Sequence, residues 1–372
     1  MRILLVSNYQ PPHMGGIEFA AQSLKRCWEK DGHAVTWLTT DLPPGARPTT
    51  PDNIRLPAWN QLENRLQINS PFIPPWHHGA IRKAIAAADV VNIHSLAPGL
   101  SNTALRLTWA AGKPVVVTQH VAVIPLRWKW LSAYQHYHVT RLAKAVVQRG
   151  GQMTFVGQAV REWFETEACL PASHITMTPA GIDQDTYHFV PAAERAALRA
   201  KWKTDTGFHV LFVGRFYDKK GLPLIREVAA AHPSIHFTLV GGGPLQPQSW
   251  DLPNVRVLSF VSNEDLRELY GSHDQFIMPS YGEGWPAVVP QAMICGLPCL
   301  VSEECFSGFN RDPDRFTVVR RTAPEVGAAL QAAQGRQAEL ETKRTDCSAY
   351  AAATWDWQRT ARIYAELFAR GR

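Results

Sequence analysis

Short, fully apolar runs alternate with stretches of helical spacing along most of the chain. Residues 2–7 (RILLVS) predict a strand. Residues 17–31 predict a helix, with Phe19, Leu24, Cys27 and Trp28 sharing one face. Further strands are predicted at 33–38, 90–94 and 114–119, and further helices at 81–88 and 103–111. Residues 41–78 are proline-rich and follow neither period. Strands that are apolar on both faces and separated by helices belong in a parallel sheet covered on both sides.

The pattern restarts after residue 185. Strands are predicted at 209–213, 235–240 and 255–260, and helices at 223–232 and 264–271. Residues 274–279 then end an apolar run, and Gly282, Glu283 and Gly284 make a permissive loop. Pro286 suits the first position of the next helix, where a missing N–H costs nothing. Gly296 stops that helix, Pro298 stands just beyond it, and 298–301 resume a strand. Two such series, separated by a connection at 178–191, predict an α/β chain of two doubly wound domains. We place them at 1–185 and 186–356, facing across a cleft. Sheets of this kind take ligands at the carboxyl ends of their strands.

A length of 372 residues fits two domains, and 45% hydrophobic with 19% charged residues excludes a disordered chain. The net charge of +6 is unevenly spread. Residues 1–189 hold 17 Lys/Arg against 12 Asp/Glu, and the remainder 21 against 20. No acidic residue occurs between 90 and 161, which gives that half a positive field. The six cysteines lack metal-ligand spacing and read as reduced thiols. The apolar run at 3–6 is too short for a secretory signal, and no run of 18 apolar residues could span a membrane. A cytoplasmic protein is expected.

The segment around Glu283 suggests chemistry. It places a carboxylate just before a helix N-terminus and an amide, Gln291, eight residues later. Helix N-termini suit phosphates, and a carboxylate beside one can receive sugar hydroxyls, so the pairing points to a sugar nucleotide. Residues 213–221 (VGRFYDKKG) put Arg215 and Lys220 just beyond a buried strand. Two cations there can clamp a diphosphate, or they can form a solvated basic turn. His120 ends the strand at 114–119 and reaches the same sheet edge, in a structural or a catalytic role. The glycines at 241–243 read as a tight turn. No glycine loop matches G-x-G-x-x-G, which disfavours a nicotinamide-dependent dehydrogenase.

With these loops in place, the chain resembles glycosyltransferase family 4, the group 1 glycosyltransferases of GT-B architecture. The likeness rests on Gly15-Gly16, DVVNIHS at 89–95, GKPVVVTQH at 112–120, GID at 181–183, GRFYDKKG at 214–221, LVGGGP at 239–244 and EGWPAVVPQAM at 283–293. Residues 355–368 resemble the family's last helices, which cross back to the N-terminal domain, so a tail of about 357–372 is assigned there. The resemblance implies a retaining, metal-independent transfer of a sugar from a nucleotide-diphosphate donor, with no cofactor. The acceptor would be a glycan or lipid carrier in polysaccharide, lipopolysaccharide or glycolipid synthesis. It assigns Arg215 and Lys220 to the diphosphate and Glu283 to donor-sugar hydroxyls. The backbone around Trp285, Ala287 and Val288 approaches the sugar and phosphate, Gly15 and Gly16 lie beneath the diphosphate, and His120 points at the reacting sugar. Fixed cations stabilise charge on a departing nucleotide.

The chain departs from the family pattern in places. Gln291 stands where a second glutamate that binds the ribose is usual, and Pro290 beside it cannot donate a helical hydrogen bond. Ala180 replaces an asparagine, and SEECFSGFN follows Val301 in place of a glycine-glycine motif. These departures motivate an alternative, a non-catalytic member that binds a nucleotide sugar or glycan as a scaffold. Residues 125–149 interleave Trp128, Trp130, Tyr134 and Tyr137 with Arg127, Lys129, Arg141 and Lys144. That composition fits an anionic membrane surface. It also fits a helix that packs Trp130, Leu131 and Tyr134 inward with its cations solvated. No nucleic-acid module is present, so no nucleic-acid partner is expected.

Overall fold

The computed structural model describes residues 1–11, 16–42, 49–60, 71–122, 129–281, 283, 285–309 and 312–370. Gly15, Gly282, Gly284, Arg127 and Trp128 lie outside the described residues, as do residues 371–372 of the expected tail. The chain forms two compact units, Met1–Gly181 with Trp357–Arg372, and Ile182–Asp356. The boundary falls four residues before the expected 185/186. Ile182 already packs in the second unit's core, and its N–H donates to Trp355 O at 2.9 Å.

In chain order, the first unit holds β1 (Arg2–Val6), α1 (Gly16–Lys30), β2 (Ala34–Thr40), β3 (Asn53–Leu56), α2 (His78–Ala87), β4 (Val90–His94) and α3 (Leu100–Ala110). It continues through β5 (Val115–Gln119), α4 (Lys129–Gln148), β6 (Gln152–Phe155), α5 (Gln158–Glu167) and β7 (Ile175–Met177). Its described strands build a seven-stranded parallel sheet in the order β3-β2-β1-β4-β5-β6-β7. Every residue of β4 and β5 is buried, as expected for strands covered on both faces.

The second unit holds α6 (Ala192–Trp202), β8 (Phe208–Val213), α7 (Leu222–Ala231), β9 (Ile235–Val240), β10 (Val255–Leu258), α8 (Asn263–Ser272) and β11 (Gln275–Met278). After these come α9 (Val288–Ile294), β12 (Cys299–Ser302), α10 (Glu303–Phe306), β13 (Thr317–Val319), α11 (Ala323–Gly335) and α12 (Gln337–Thr354). Its described strands form a six-stranded parallel sheet, β10-β9-β8-β11-β12-β13, with a separate core. The last helix, α13 (Trp357–Arg370), returns to the first unit and packs on α1. Trp28 meets Tyr364 and Phe368 edge-on there, with ring centres 5.5 and 5.3 Å apart.

In each sheet the strand order reverses beside its first strand, between β1 and β4 and between β8 and β11. Loops leaving such a pair diverge to opposite faces and open a crevice at the carboxyl ends.

Candidate active site

In the second unit, that crevice is bounded by the loops after β8 and β11. The turn at 218–220 ends at Gly221, whose φ is +81°. A Cβ there would stand 2.3 Å from Pro279 O, so only glycine lets the two loops approach. This approach delivers Lys220 to Glu283, with Nζ 2.7 Å from Oε1 and side chains only 15% and 11% exposed. Other contacts fix the same geometry. Tyr281 N–H donates to Lys219 O at 3.0 Å, and the Tyr281 hydroxyl donates to Asp218 at 3.3 Å. Arg321 lies 4.4 Å over the Tyr281 ring and donates through Nε to Pro279 O at 3.1 Å. The glycines at 241–243 serve a neighbouring contact. A Cβ on Gly241 would fall 2.0 Å from Gly214 O, and Phe216 N–H donates to Gly242 O at 2.9 Å.

Arg215 is exposed on the same loop, with its guanidinium 5.3 Å from the Tyr217 ring centre. Trp285 packs on Phe309, ring centres 6.3 Å apart. The expected helix start at Pro286 is corrected. Ala287 is the cap and Val288 the first helical residue of α9. Pro290 has no N–H to return to the Pro286 carbonyl, which accepts instead from Val289 N–H at 3.1 Å. Gln291 sits on α9, and its Oε1 accepts from the Tyr270 hydroxyl at 3.4 Å. Gly296 stops the helix at φ +85°, as its position predicted.

In the first unit, His120 follows β5 and is 9% exposed. Its Nε2 lies 2.9 Å from His94 Nδ1, and His94 Nε2 lies 3.0 Å from Asn92 Oδ1. Asn92 donates both amide hydrogens, to Val116 O and Thr118 Oγ1 at 3.2 Å. Its Oδ1 is therefore an acceptor, which makes His94 Nε2 the donor and His94 Nδ1 an acceptor. His120 must then carry its proton on Nε2 and keep a lone pair on Nδ1. Burial lowers the His120 pKa to about 4 and that of His94 well below its usual value, the latter aided by its neighbour. Both rings are neutral near pH 7. Gly16 opens α1, and a Cβ there would meet nothing within 4 Å among the described residues.

Residues 14–186 match the family described as Glycosyltransferase Family 4, and residues 207–331 match Glycosyl transferases group 1. The chain belongs to the group 1 glycosyltransferases. A curated relative of this group 1 glycosyltransferase is the α-galactosylglucosyldiacylglycerol synthase of Streptococcus pneumoniae, 26% identical over 41% of each chain. Another is the GDP-mannose-dependent α-(1-6)-phosphatidylinositol monomannoside mannosyltransferase of Mycobacterium tuberculosis, 26% identical over 80% of each. Among solved structures, Anabaena Alr3699/HepE in complex with UDP superposes with a TM-score of 0.76 over 100% of both chains at 16% identity. The fold is GT-B, two parallel-sheet α/β units of the kind seen in those neighbours.

Some features of this glycosyltransferase were not legible as site residues. His94 and Asn92 fix the His120 ring, and their signal was two polar side chains inside the apolar run at 90–94. Tyr281 and Arg321 hold the Glu283 loop and gave no local signal. Burial pushes the Cys295, Cys305 and Cys347 thiols up to about 12, so they stay protonated. Among the described residues, no group of three His, Cys, Asp or Glu side chains could hold a metal ion. No described helix is long and apolar enough to cross a membrane.

Proposed function

We propose that this glycosyltransferase moves a sugar from a nucleotide-diphosphate donor to a glycan or lipid-linked acceptor, retaining anomeric configuration and using no metal ion. The observation that carries the reading is the Lys220–Glu283 pair at 2.7 Å in the β8/β11 crevice. Before donor arrives, each charge compensates the other. Breaking such a pair by removing one partner leaves a poorly solvated charge. A donor can replace the pair on both sides, its diphosphate taking Lys220 and Arg215 and its sugar hydroxyls taking Glu283. The backbone around Trp285, Ala287 and Val288 would line the sugar, Gln291 the ribose, and Gly16 a phosphate.

In the reaction, the bond from sugar C1 to the β-phosphate oxygen breaks and the acceptor oxygen bonds C1 on the same face. The acceptor proton leaves with the diphosphate. Lys220 and Arg215 stabilise the charge gathering on that leaving group. The neutral His120 ring is assigned to the reacting sugar, with Nδ1 as acceptor.

The curated relatives named above are named for glycolipid products or acceptors, which supports a glycolipid or lipid-linked acceptor; a role in cell-surface polysaccharide or lipopolysaccharide synthesis is part of the proposal. We propose that it works on such an acceptor at the cytoplasmic face of a membrane, with residues 129–149 against anionic lipid. Incubation with UDP- and GDP-sugars and a lipid extract, followed by proton NMR of the product, tests the proposal. An α donor should give an α product at a rate unchanged by EDTA. A β product would overturn retention, and an EDTA-sensitive rate would overturn metal independence.

Gln291, tied to Tyr270, favours a second reading in which the protein binds donor without turning it over. Calorimetric binding of a nucleotide sugar with no nucleotide release under any acceptor would select it.

A further inference from the structure

Helices α3 and α4 enclose a groove of about 730 Å³. Arg106 and Trp109 line it from α3, His138, Arg141 and Lys144 from α4, and Arg149 from the turn just after α4. Among the described residues, no carboxylate lines it. Among the described residues, none of the four arginine and lysine side chains is paired with an acid; the nearby pairs are His136 with Glu167 and Arg161 with Glu165. Arg149 lies 4.6 Å over the Trp109 ring, and Asn102 holds His138 at 2.8 Å. Burial, and after it the positive charges of Arg106 and Arg141, lower the His138 pKa, which places both guanidinium groups close to that ring.

The groove continues into an exposed stripe. Trp130, Tyr134, Tyr137, Arg141 and Lys144 recur at steps of four and three along α4 and so share one face. Trp130, Tyr134 and Tyr137 are 69%, 56% and 60% exposed. The expected alternative, in which Trp130 and Tyr134 pack inward, is therefore excluded. The buried face is Val139, Leu142, Ala143 and Val146. Indole and phenol rings beside cations are the composition of a headgroup-level surface.

We propose that this groove seats the phosphate of an anionic lipid headgroup, with the three aromatic rings lying in the interfacial layer beside it. The inference rests on the membrane contact proposed above and assigns it a site. Guanidinium groups meet phosphate oxygens bidentately, and each cation near an anionic surface strengthens attachment.

Sedimentation with phosphatidylglycerol and phosphatidylcholine vesicles tests it on the full chain. Wild type should partition onto phosphatidylglycerol and not onto phosphatidylcholine. R141Q/K144Q should lower that partition about thirty-fold. R141K/K144R should restore it, and W130S/Y134S should weaken it. Thermal midpoints and the midpoint shift given by a nucleotide sugar should stay unchanged in R141Q/K144Q, which separates this test from the transferase reading. Undiminished binding by R141Q/K144Q would overturn the groove and leave membrane contact standing elsewhere. Failure of wild type to bind phosphatidylglycerol would overturn both. Tighter binding to duplex DNA than to the vesicles at equal salt, lost in R141Q/K144Q, would overturn the lipid assignment.

Discussion

His120 owes its chemical state to residues on β4. The Asn92 amide orients His94, and His94 orients His120, so one nitrogen of His120 is specified as an acceptor. Nitrogen-15 NMR near pH 7 should find Nδ1 of His120 unprotonated in the wild type and a mixture of tautomers in His94→Ala. The same burial couples stability to pH. The folded pKa of about 4 lies below the ordinary 6.5, so the unfolded chain binds the extra proton. Stability is then full above about pH 6.5 and falls as pH drops toward 4, by roughly 1.4 kcal/mol per pH unit for this ring. Urea denaturation across that window should show a shallower acid limb in His120→Asn. An unchanged limb would contradict the assignment. Gly221 is the second residue on which the site depends. Gly221→Ala meets both a positive φ and the Pro279 carbonyl and should cost about 3 kcal/mol or more in denaturation midpoint analysis.

Helix α13 contributes a buried hydroxyl to the sheet beneath His120. The Tyr364 hydroxyl lies 2.8 Å from Thr118 and 3.1 Å from both Thr154 and Thr178, joining β5, β6 and the residue after β7. Tyr364→Phe removes one hydrogen-bond partner from each of these threonines, two of which keep others, and should cost about 1–3 kcal/mol in urea denaturation. Stability within error of wild type would contradict a structural role for this contact. Most strands and the first helices were legible because fully apolar runs and 3.6-residue spacing are local signals. Strands β3, β6, β7 and β13 were not, since runs of three or four residues broken by Asn53, Gln152, Thr154, Thr176 or Thr317 leave no period to read. The onset of α9 was misplaced by two residues because proline preference at a first turn could not foresee that Pro290 redirects the Pro286 carbonyl. The meeting of His94 and His120, 26 residues apart, follows from parallel pairing of β4 with β5 and has no signature within either segment. Lys220 and Glu283 were each legible as cleft-edge residues. Their direct pairing was not, because it depends on the Gly221–Pro279 approach.

Across the whole molecule, two sheets of the same construction carry different charge. The first 189 residues hold an excess of five cations, concentrated where no acid occurs between 90 and 161. The remaining residues, 190–372, are nearly balanced and include the Lys220–Glu283 pair. This division matches a donor site built on paired charge and a surface built on unpaired charge. The central claim concerns the first of these. Calorimetric titration of UDP-glucose and GDP-mannose into wild type, Lys220→Ala and Glu283→Ala tests it most directly. Wild type should bind at least one donor at micromolar to millimolar concentration. Lys220→Ala should lose affinity for the free nucleoside diphosphate as well as for the sugar nucleotide. Glu283→Ala should keep the diphosphate and lose the added affinity of the sugar. Wild-type affinities in both variants, with their folds intact, would contradict the account.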